Sequence, residues 1–255
     1  MACRTDPAKS IPEDISLETQ AIIERKTGKR YVDPRDLPSK LDLSGCTGVV
    51  DVSSLGGVKY LDLSRCTGVV DVSSLGEVKY LDLRWCTGVV DVSALGGVKH
   101  LYLRGCTGVV DVSALGASTT LQYLDLSFCT CITDVSALGA STTLQHLDLS
   151  WCTGVVDVSA LGTSTTLQHL VLQGCMGVVD VSALGVSTAL QHLDLSYCTG
   201  VVDVSALGAS TTLQHLDLSR CTGVVDVSSL GGVKYLDLSF CTGITDFSAV
   251  PHAHR

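Results

Sequence analysis

Four histidines recur at one phase of the chain, His146, His169, His192 and His215, each 23 residues after the last. Two residues beyond three of them stand Asp148, Asp194 and Asp217; Val171 takes that place after His169. Imidazole beside carboxylate can move protons or hold a metal. Cysteine, which can act as nucleophile or metal ligand, occurs 12 times. Ten cysteines share one phase: Cys46, Cys66, Cys86, Cys106, Cys129, Cys152, Cys175, Cys198, Cys221 and Cys241, leaving only Cys3 and Cys131 outside it.

Catalysis needs a singular constellation, one nucleophile with its own base and an electrophilic partner. Here each polar group is copied many times at equivalent positions. No Gly-rich phosphate loop and no metal-centre spacing interrupts the series. The expectation is therefore no enzyme, no catalytic residue, no cofactor and no metal site. His252 and His254 have the chemistry for weak metal binding, but a frayed tail is the competing reading. A residue that returns once per repeat is a core position, and free cysteine behaves there as a small hydrophobe.

Those groups must be positioned by a repeated element. Leu-Asp-Leu-Ser and its variants recur from Leu41 to Leu236 in steps of 20 or 23 residues. In the unit starting at Leu124, Leu124 and Leu126 alternate with Asp125 and Ser127, a period of two that marks a short strand with one buried face. Ile132, Val135 and Leu138 follow three apart, a spacing that fits tight turns or 3₁₀ pieces. Gly139 and the Ala-Ser-Thr-Thr run make an outer wall. One unit cannot bury its apolar row alone, whereas stacked units fuse their rows into one core. Ten strands at ~4.8 Å then give a parallel inner sheet. The 20-residue units have a thinner outer wall, so the convex side should be bulkier in the middle of the array than at its ends. A second aspartate, Asp51, Asp71, Asp91, Asp111, Asp134, Asp157, Asp180, Asp203, Asp226 or Asp246, precedes Val-Ser or Phe-Ser in every unit. It suits the backbone N–H groups of the turn that follows.

The pattern Leu144-x-x-Leu147-x-Leu149-x-x-Cys152 resembles the leucine-rich repeat family. The continuation x-x-Val155-x-Asp157-Val158-Ser159-x-Leu161 resembles the short repeats of bacterial internalins and the Cys-Thr-Gly-rich repeats of protist and large-virus proteins. The resemblance implies an α/β solenoid: a right-handed arc or horseshoe with a parallel concave sheet, a convex side of turns and short 3₁₀ pieces, and a helical N-terminal cap. It also implies a protein-binding scaffold. Cysteine stands where the family usually carries asparagine, which bridges adjacent coils. A thiol donates weakly, so that ladder is expected to fall to the backbone and the following threonine.

Variation among near-identical copies marks candidate sites. The residue before the phased cysteine reads Gly45, Arg65, Trp85, Gly105, Phe128, Trp151, Gly174, Tyr197, Arg220 and Phe240. Aromatic residues and arginine are enriched in binding hot spots. The competing reading is that these rings merely pack on one another at the strand–turn edge. Before each strand stands Tyr or His, and along it runs Asp42, Asp62, Asp82, Asp125, Asp148, Asp194, Asp217 and Asp237, broken by Tyr102 and Val171. That row reads either as a solvated ladder partly paired with the imidazoles, or as an acidic groove for a basic partner, or as a place for a cation between neighbouring carboxylates. Net charge is −9, and between Arg104 and Arg220 there are nine Asp and no Lys or Arg. Such a surface repels nucleic-acid phosphate.

Residues 1–40 lie outside the repeats and read as a cap with one helix, started by Pro12 and Ser10, apolar through Ile15, Leu17, Ile22 and Ile23, and stopped at Gly28. Residues 41–255 read as the solenoid of ten repeats. Its far end has no evident cap, which leaves closure by Phe247 and Pro251, or contact with another molecule there. The start, Met-Ala-Cys-Arg-Thr-Asp-Pro, has no apolar signal region, and no apolar run approaches the ~20 residues that span a bilayer. The expected setting is cytoplasmic, where thiols stay reduced. The expected function is a protein-interaction module whose partner has basic and apolar features, bound through Trp85, Phe128, Trp151, Tyr197, Phe240, Arg65, Arg220, Asp125, Asp148, Asp194 and the four histidines. A secreted or surface recognition protein with its signal elsewhere, and a structural array with no selected ligand, are the alternatives.

Overall fold

The computed structural model describes residues 14–255. Ten three-residue strands lie side by side in chain order: β1 Lys40–Asp42, β2 Tyr60–Asp62, β3 Tyr80–Asp82, β4 His100–Tyr102, β5 Tyr123–Asp125, β6 His146–Asp148, β7 His169–Val171, β8 His192–Asp194, β9 His215–Asp217 and β10 Tyr235–Asp237. All pair in parallel, with equivalent residues in register: Leu41 opposite Leu61, Leu124 opposite Leu147, Leu216 opposite Leu236. The central leucine of each strand points inward and is buried, and the leucine two residues on joins it. The outer residues of each triplet face the open side of the sheet, as period-two geometry requires.

The rest of each coil turns in steps of three. Val49 N–H donates to Cys46, Leu55 to Val52 and Val58 to Leu55. All four apolar residues of this staircase that follow the cysteine, Val49, Val52, Leu55 and Val58, are buried in the common core. Most outer turns are 3₁₀; those over Ser113–Gly116 and Ser136–Gly139 close as single α-turns. The recurring second aspartate caps the entry: Asp134 Oδ1 accepts the Ser136 N–H at 2.8 Å, and Asp157 that of Ser159 at 2.8 Å. In the 23-residue units the added Ser-Thr stretch makes its own contacts. Ser141 Oγ accepts from Leu144 N–H, and Thr143 Oγ1 donates to the Ser118 carbonyl of the coil before.

The cysteine ladder differs from the expectation. The threonine after the cysteine is exposed, and the thiol itself makes the bridge. Cys66 Sγ–H donates to the Leu43 carbonyl at 3.1 Å, Cys152 to Leu126 at 3.0 Å, and the contact repeats through Cys241 to Leu218. Burial pushes these thiols up, Cys66 to about 11 and Cys86 to about 12, so they remain protonated donors.

The first helix, α1, spans Leu17–Thr27 and is capped by Ser16. The expected start at Ser10 and Pro12 lies outside the described residues. Ile15, Ile22 and Ile23 are buried, but Leu17 is 74% exposed. Polar residues complete its inner face: Thr19 Oγ1 donates to the Asp51 carbonyl of the first coil, and buried Gln20 Nε2 donates to the Ile15 carbonyl within the cap. Gly28 stops the helix with φ 72°, its N–H returning to Glu24.

The opposite end is not frayed. His254 N–H donates to Leu236, Leu238 N–H donates to the His254 carbonyl, and a parallel bridge joins Asp237 and His254. Val250 is fully buried and Phe247 packs on the core. His252 is turned to the Val233 carbonyl at 2.8 Å. Among the described residues, no helix is long and apolar enough to cross a membrane, and no group of three or more His, Cys, Asp or Glu is placed to hold a metal ion.

Candidate functional site

Three rows run along the open side of the sheet. The first is formed by the leading residue of every strand. His146, His169, His192, His215 and Tyr235 stack face to face, with centroids 4.1–4.2 Å apart and interplanar angles of 10–15°. Parallel in-register strands set this geometry, because equivalent side chains repeat at strand spacing. Towards the other end the stack loosens into tilted rings at 5.8–6.3 Å through Tyr123, His100, Tyr80 and Tyr60. Tyr102, which replaces an aspartate, adds its ring at 4.9 Å from Tyr80 and 5.0 Å from Tyr123. Burial disfavours charged imidazole and pulls His100, His146 and His192 below the ordinary histidine range; at His169 burial and the neighbouring imidazoles bring it to about 4. His100, His146, His169 and His192 are therefore neutral at pH 7.

The second row is the strand aspartates. Each bends back onto its own turn: Asp125 Oδ1 accepts from Ser127 N–H at 2.8 Å, Asp194 from Ser196 at 2.8 Å, Asp217 from Ser219 at 2.7 Å. This is the local bond that the second aspartate makes, so one oxygen of each carboxylate is a turn acceptor before it is a binding group. Burial raises Asp125 and Asp194 above the usual carboxylate range, against the serine hydrogen bonds. Asp82 is nearly inaccessible and paired with Arg84 Nη2 and Nε. Where this row meets the histidine stack at the C-terminal end, a cavity of about 410 Å³ is lined by His169, His192, His215, Asp194, Asp217 and Tyr235 among others.

The third row lies at the strand–turn edge, where the competing reading put it. The residue before the phased cysteine lies on the turn leaving the strand and not on the strand itself, and in every unit its backbone is left-handed. Arg65, Trp85, Phe128, Trp151, Tyr197, Arg220 and Phe240 have φ of 60–64°, and Gly45, Gly105 and Gly174 have 70–71°. Glycine adopts that conformation freely; other residues do so at a cost. The side chains form a continuous ridge. Trp85 lies across Gly105, where an added Cβ would sit 2.4 Å from Cε3 of the indole, and meets Phe128 at 6.3 Å between centroids. Phe128 stacks on Trp151 at 6.1 Å. Trp151 in turn lies across Gly174 and meets Tyr197 at 5.8 Å. Arg220 is sandwiched, 4.9 Å from the Tyr197 centroid and 4.4 Å from that of Phe240. Both ends stay accessible: Trp85 is 40% exposed and Phe240 66%.

Arg65 alone of the expected residues stands apart from the ridge, exposed and without a partner among the described residues. Arg84 and Arg104, not anticipated as site residues, gather near it, so the face is not uniformly acidic: its first repeats mix these arginines with Asp42, Asp62 and Asp82, and its middle is acidic. The signal for them was the same one that marked the rest, variation at a fixed phase, here the residue after Leu-Asp-Leu or Leu-Tyr-Leu.

The comparisons agree with the repeat fold. A leucine-rich repeat family model matches residues 117–138, 140–159 and 209–224. No curated protein matches in sequence. Among solved structures, the chain is similar to an internalin, inlF, of Listeria monocytogenes (TM-score 0.57, 17% identity, 94% of this chain and 93% of that one). Internalin C2 of the same organism aligns with TM-score 0.59 at 24% identity, over 88% of this chain and 91% of that one. A leucine-rich repeat protein of Leptospira interrogans aligns with TM-score 0.55 at 16% identity, covering 79% of this chain and 62% of that one.

Proposed function

We propose that this leucine-rich repeat solenoid is a protein-interaction module, and that its partner, with basic and apolar features, lies along the aromatic ridge and the histidine–aspartate groove beside it. The fold suggests a protein-binding role at the coarsest level. What supports the finer reading is the left-handed backbone under the ridge. A non-glycine residue costs ~1–2 kcal/mol in that conformation. Gly45, Gly105 and Gly174 fill the same position without that strain, yet seven units carry a large side chain there. Ring stacking returns ~0.5–1.5 kcal/mol per pair, which offsets the strain without exceeding it, so packing alone is a weak reason for the ridge. Strained residues gathered in one exposed row have the form of a binding site.

The partner enters through the ridge, where rigid rings give contact area at little entropic expense, and its basic groups meet Asp194, Asp217 and the other groove carboxylates. The role is non-catalytic. The working setting is a reducing one, in which the bridging thiols persist. Replacing Phe128, Trp151, Tyr197 and Phe240 together with serine tests the assignment. Each hot-spot truncation weakens binding by about 2 kcal/mol or more, so the quadruple variant should lose the principal partner from a quantitative pull-down while keeping its circular dichroism. Undiminished capture by a folded variant would exclude the ridge.

A further inference from the structure

The geometry points to a second site, outside the acidic groove: a pocket for a phosphate-monoester dianion in the first repeats, held by Arg65 and Arg104 with Arg84 behind them, the group that carries the phosphate resting on Trp85. The pocket has a volume of about 470 Å³ and is lined by Ser44, Gly45, Ser64, Arg65, Arg84, Trp85 and Arg104. Gly45 opens it. The two other glycines of the left-handed position lie under tryptophan rings, whereas a Cβ at Gly45 would meet nothing within 4 Å. The ridge begins two coils further on, at Trp85, so the pocket has an arginine wall, an indole edge and an open floor.

The three guanidinium groups are in different states. Arg84 gives Nε and one Nη2 bond to Asp82, which fixes it and cancels its charge. Arg104 lies over the Phe128 ring at 4.6 Å, a contact that uses its flat face and leaves its in-plane donors unspent. Arg65 has no partner among the described residues, and left-handed φ at 62° holds its backbone in place. Each guanidinium carries five donors in one plane, matched to two oxygens of a tetrahedral or planar oxyanion. Arg65 and Arg104 both keep free donors beside the neutralised Arg84–Asp82 pair, with Asp125 acting on Arg104 and Asp62 on Arg84 as the neighbouring carboxylates, and two guanidinium groups suit a dianion better than a monoanion. A phosphate ion alone fills a small part of the volume. The remaining space borders Trp85, 40% exposed, which offers a flat surface for a planar carrier, as an aryl phosphate has. The pocket and the groove carry opposite signs, so one ligand does not serve both.

The test uses the full chain labelled with ¹⁵N, titrated with phenyl phosphate at pH 7.5, where the ester is a dianion. The two indole N–H resonances, assigned with Trp85→Phe, report position. The Trp85 signal should shift and saturate while Trp151 stays still. Arg65→Gln combined with Arg104→Gln should weaken binding by at least about tenfold, with Arg65→Lys and Arg104→Lys falling between. Phenylacetate and methyl phenyl phosphate, each a monoanion, should bind at least about tenfold more weakly. Inorganic phosphate should bind more weakly than phenyl phosphate; equal affinity would remove Trp85 from the site. Equal binding of the phosphodiester, a shift of Trp151 alone, or insensitivity to the arginine substitutions would overturn the assignment. Arg65→Gln alone disturbs no ridge contact, whereas Arg104 and Trp85 pack on Phe128, so loss of phenyl phosphate in Arg65→Gln with partner capture retained separates failure here from failure of the ridge.

Discussion

Gly174→Ala is the sharpest test of how the ridge is built. The substitution adds one methyl group, and two effects follow. Gly174 has φ 70°, so alanine there carries left-handed strain, about 1–2 kcal/mol. The new Cβ would also lie 2.7 Å from Cδ2 and 2.8 Å from Cε3 of Trp151. The indole must lift, and its contact with Tyr197 at 5.8 Å is lost, about 0.5–1.5 kcal/mol more. Gly45→Ala is the internal control: φ is 71° and the space above is open, so strain acts without displacement. Unfolding free energies from urea titration should therefore fall for both, by about 1.5–3.5 kcal/mol for Gly174→Ala and about 1–2 kcal/mol for Gly45→Ala. In a Trp85→Phe background, the Trp151 fluorescence maximum should move to the red only in Gly174→Ala. Equal losses with an unmoved maximum would mean that the indole does not lie on Gly174.

Other outcomes follow from the same coordinates. Because burial pushes Cys86, Cys129, Cys175 and Cys221 up to about 12, they should resist iodoacetamide at pH 8 in the native protein while exposed Cys131 is alkylated, as peptide mass spectrometry would show; early labelling of Cys86 contradicts the thiol ladder. Unfolded histidine titrates near 6.5, and His146, His169 and His192 titrate lower, His169 at about 4, so the unfolded chain binds more protons. Their contribution is complete above pH ~6.5 and is lost as pH falls towards 4. Raised Asp125 and Asp194 act oppositely, regaining stability as pH falls through the carboxylate range. The urea midpoint should thus be lower at pH 5.0 than at 7.5, and His169→Gln with His192→Gln should flatten that slope; an unchanged slope would remove the stack as its source. Arg84→Ala leaves Asp82, 2% exposed, without its counter-charge and should cost about 2–3 kcal/mol, with much of the loss recovered by adding Asp82→Asn; additive losses would show that the pair is not coupled.

Much of this architecture is legible in the chain. A leucine phase kept from Leu41 to Leu236 leaves one way to bury the apolar row, and in-register parallel strands follow. The turn role of the second aspartate is equally local, since Asp-Val-Ser places the acceptor two residues before the donor. The first aspartate obeys the same rule through Asp-Leu-Ser, a sign that the appeal of an acidic groove concealed. The left-handed ridge is harder to see. Nothing in Trp or Phe announces a positive φ; only Gly45, Gly105 and Gly174 at the same phase do, and they read as variation until the turn is built. The role of those two glycines beneath Trp85 and Trp151 depends on the coil spacing, which no single repeat contains. The cap at Ser16 is harder to read than the stop at Gly28, because Leu17, the apolar residue beside it, faces solvent and only Thr19 ties the helix to the first coil, through the Asp51 carbonyl. The closed C-terminal end depends on bonds between His254 and the last strand that are set by register, not residue type.

The central claim is that the ridge is where a partner lies. A photo-crosslinking amino acid placed at position 128 or 197, in the ridge, is compared with one at Val156 or Val179, exposed on the flank. Illumination with the natural partner present should yield a covalent adduct from positions 128 and 197 and none from 156 and 179. Adducts from the valine flank with none from the ridge would contradict it.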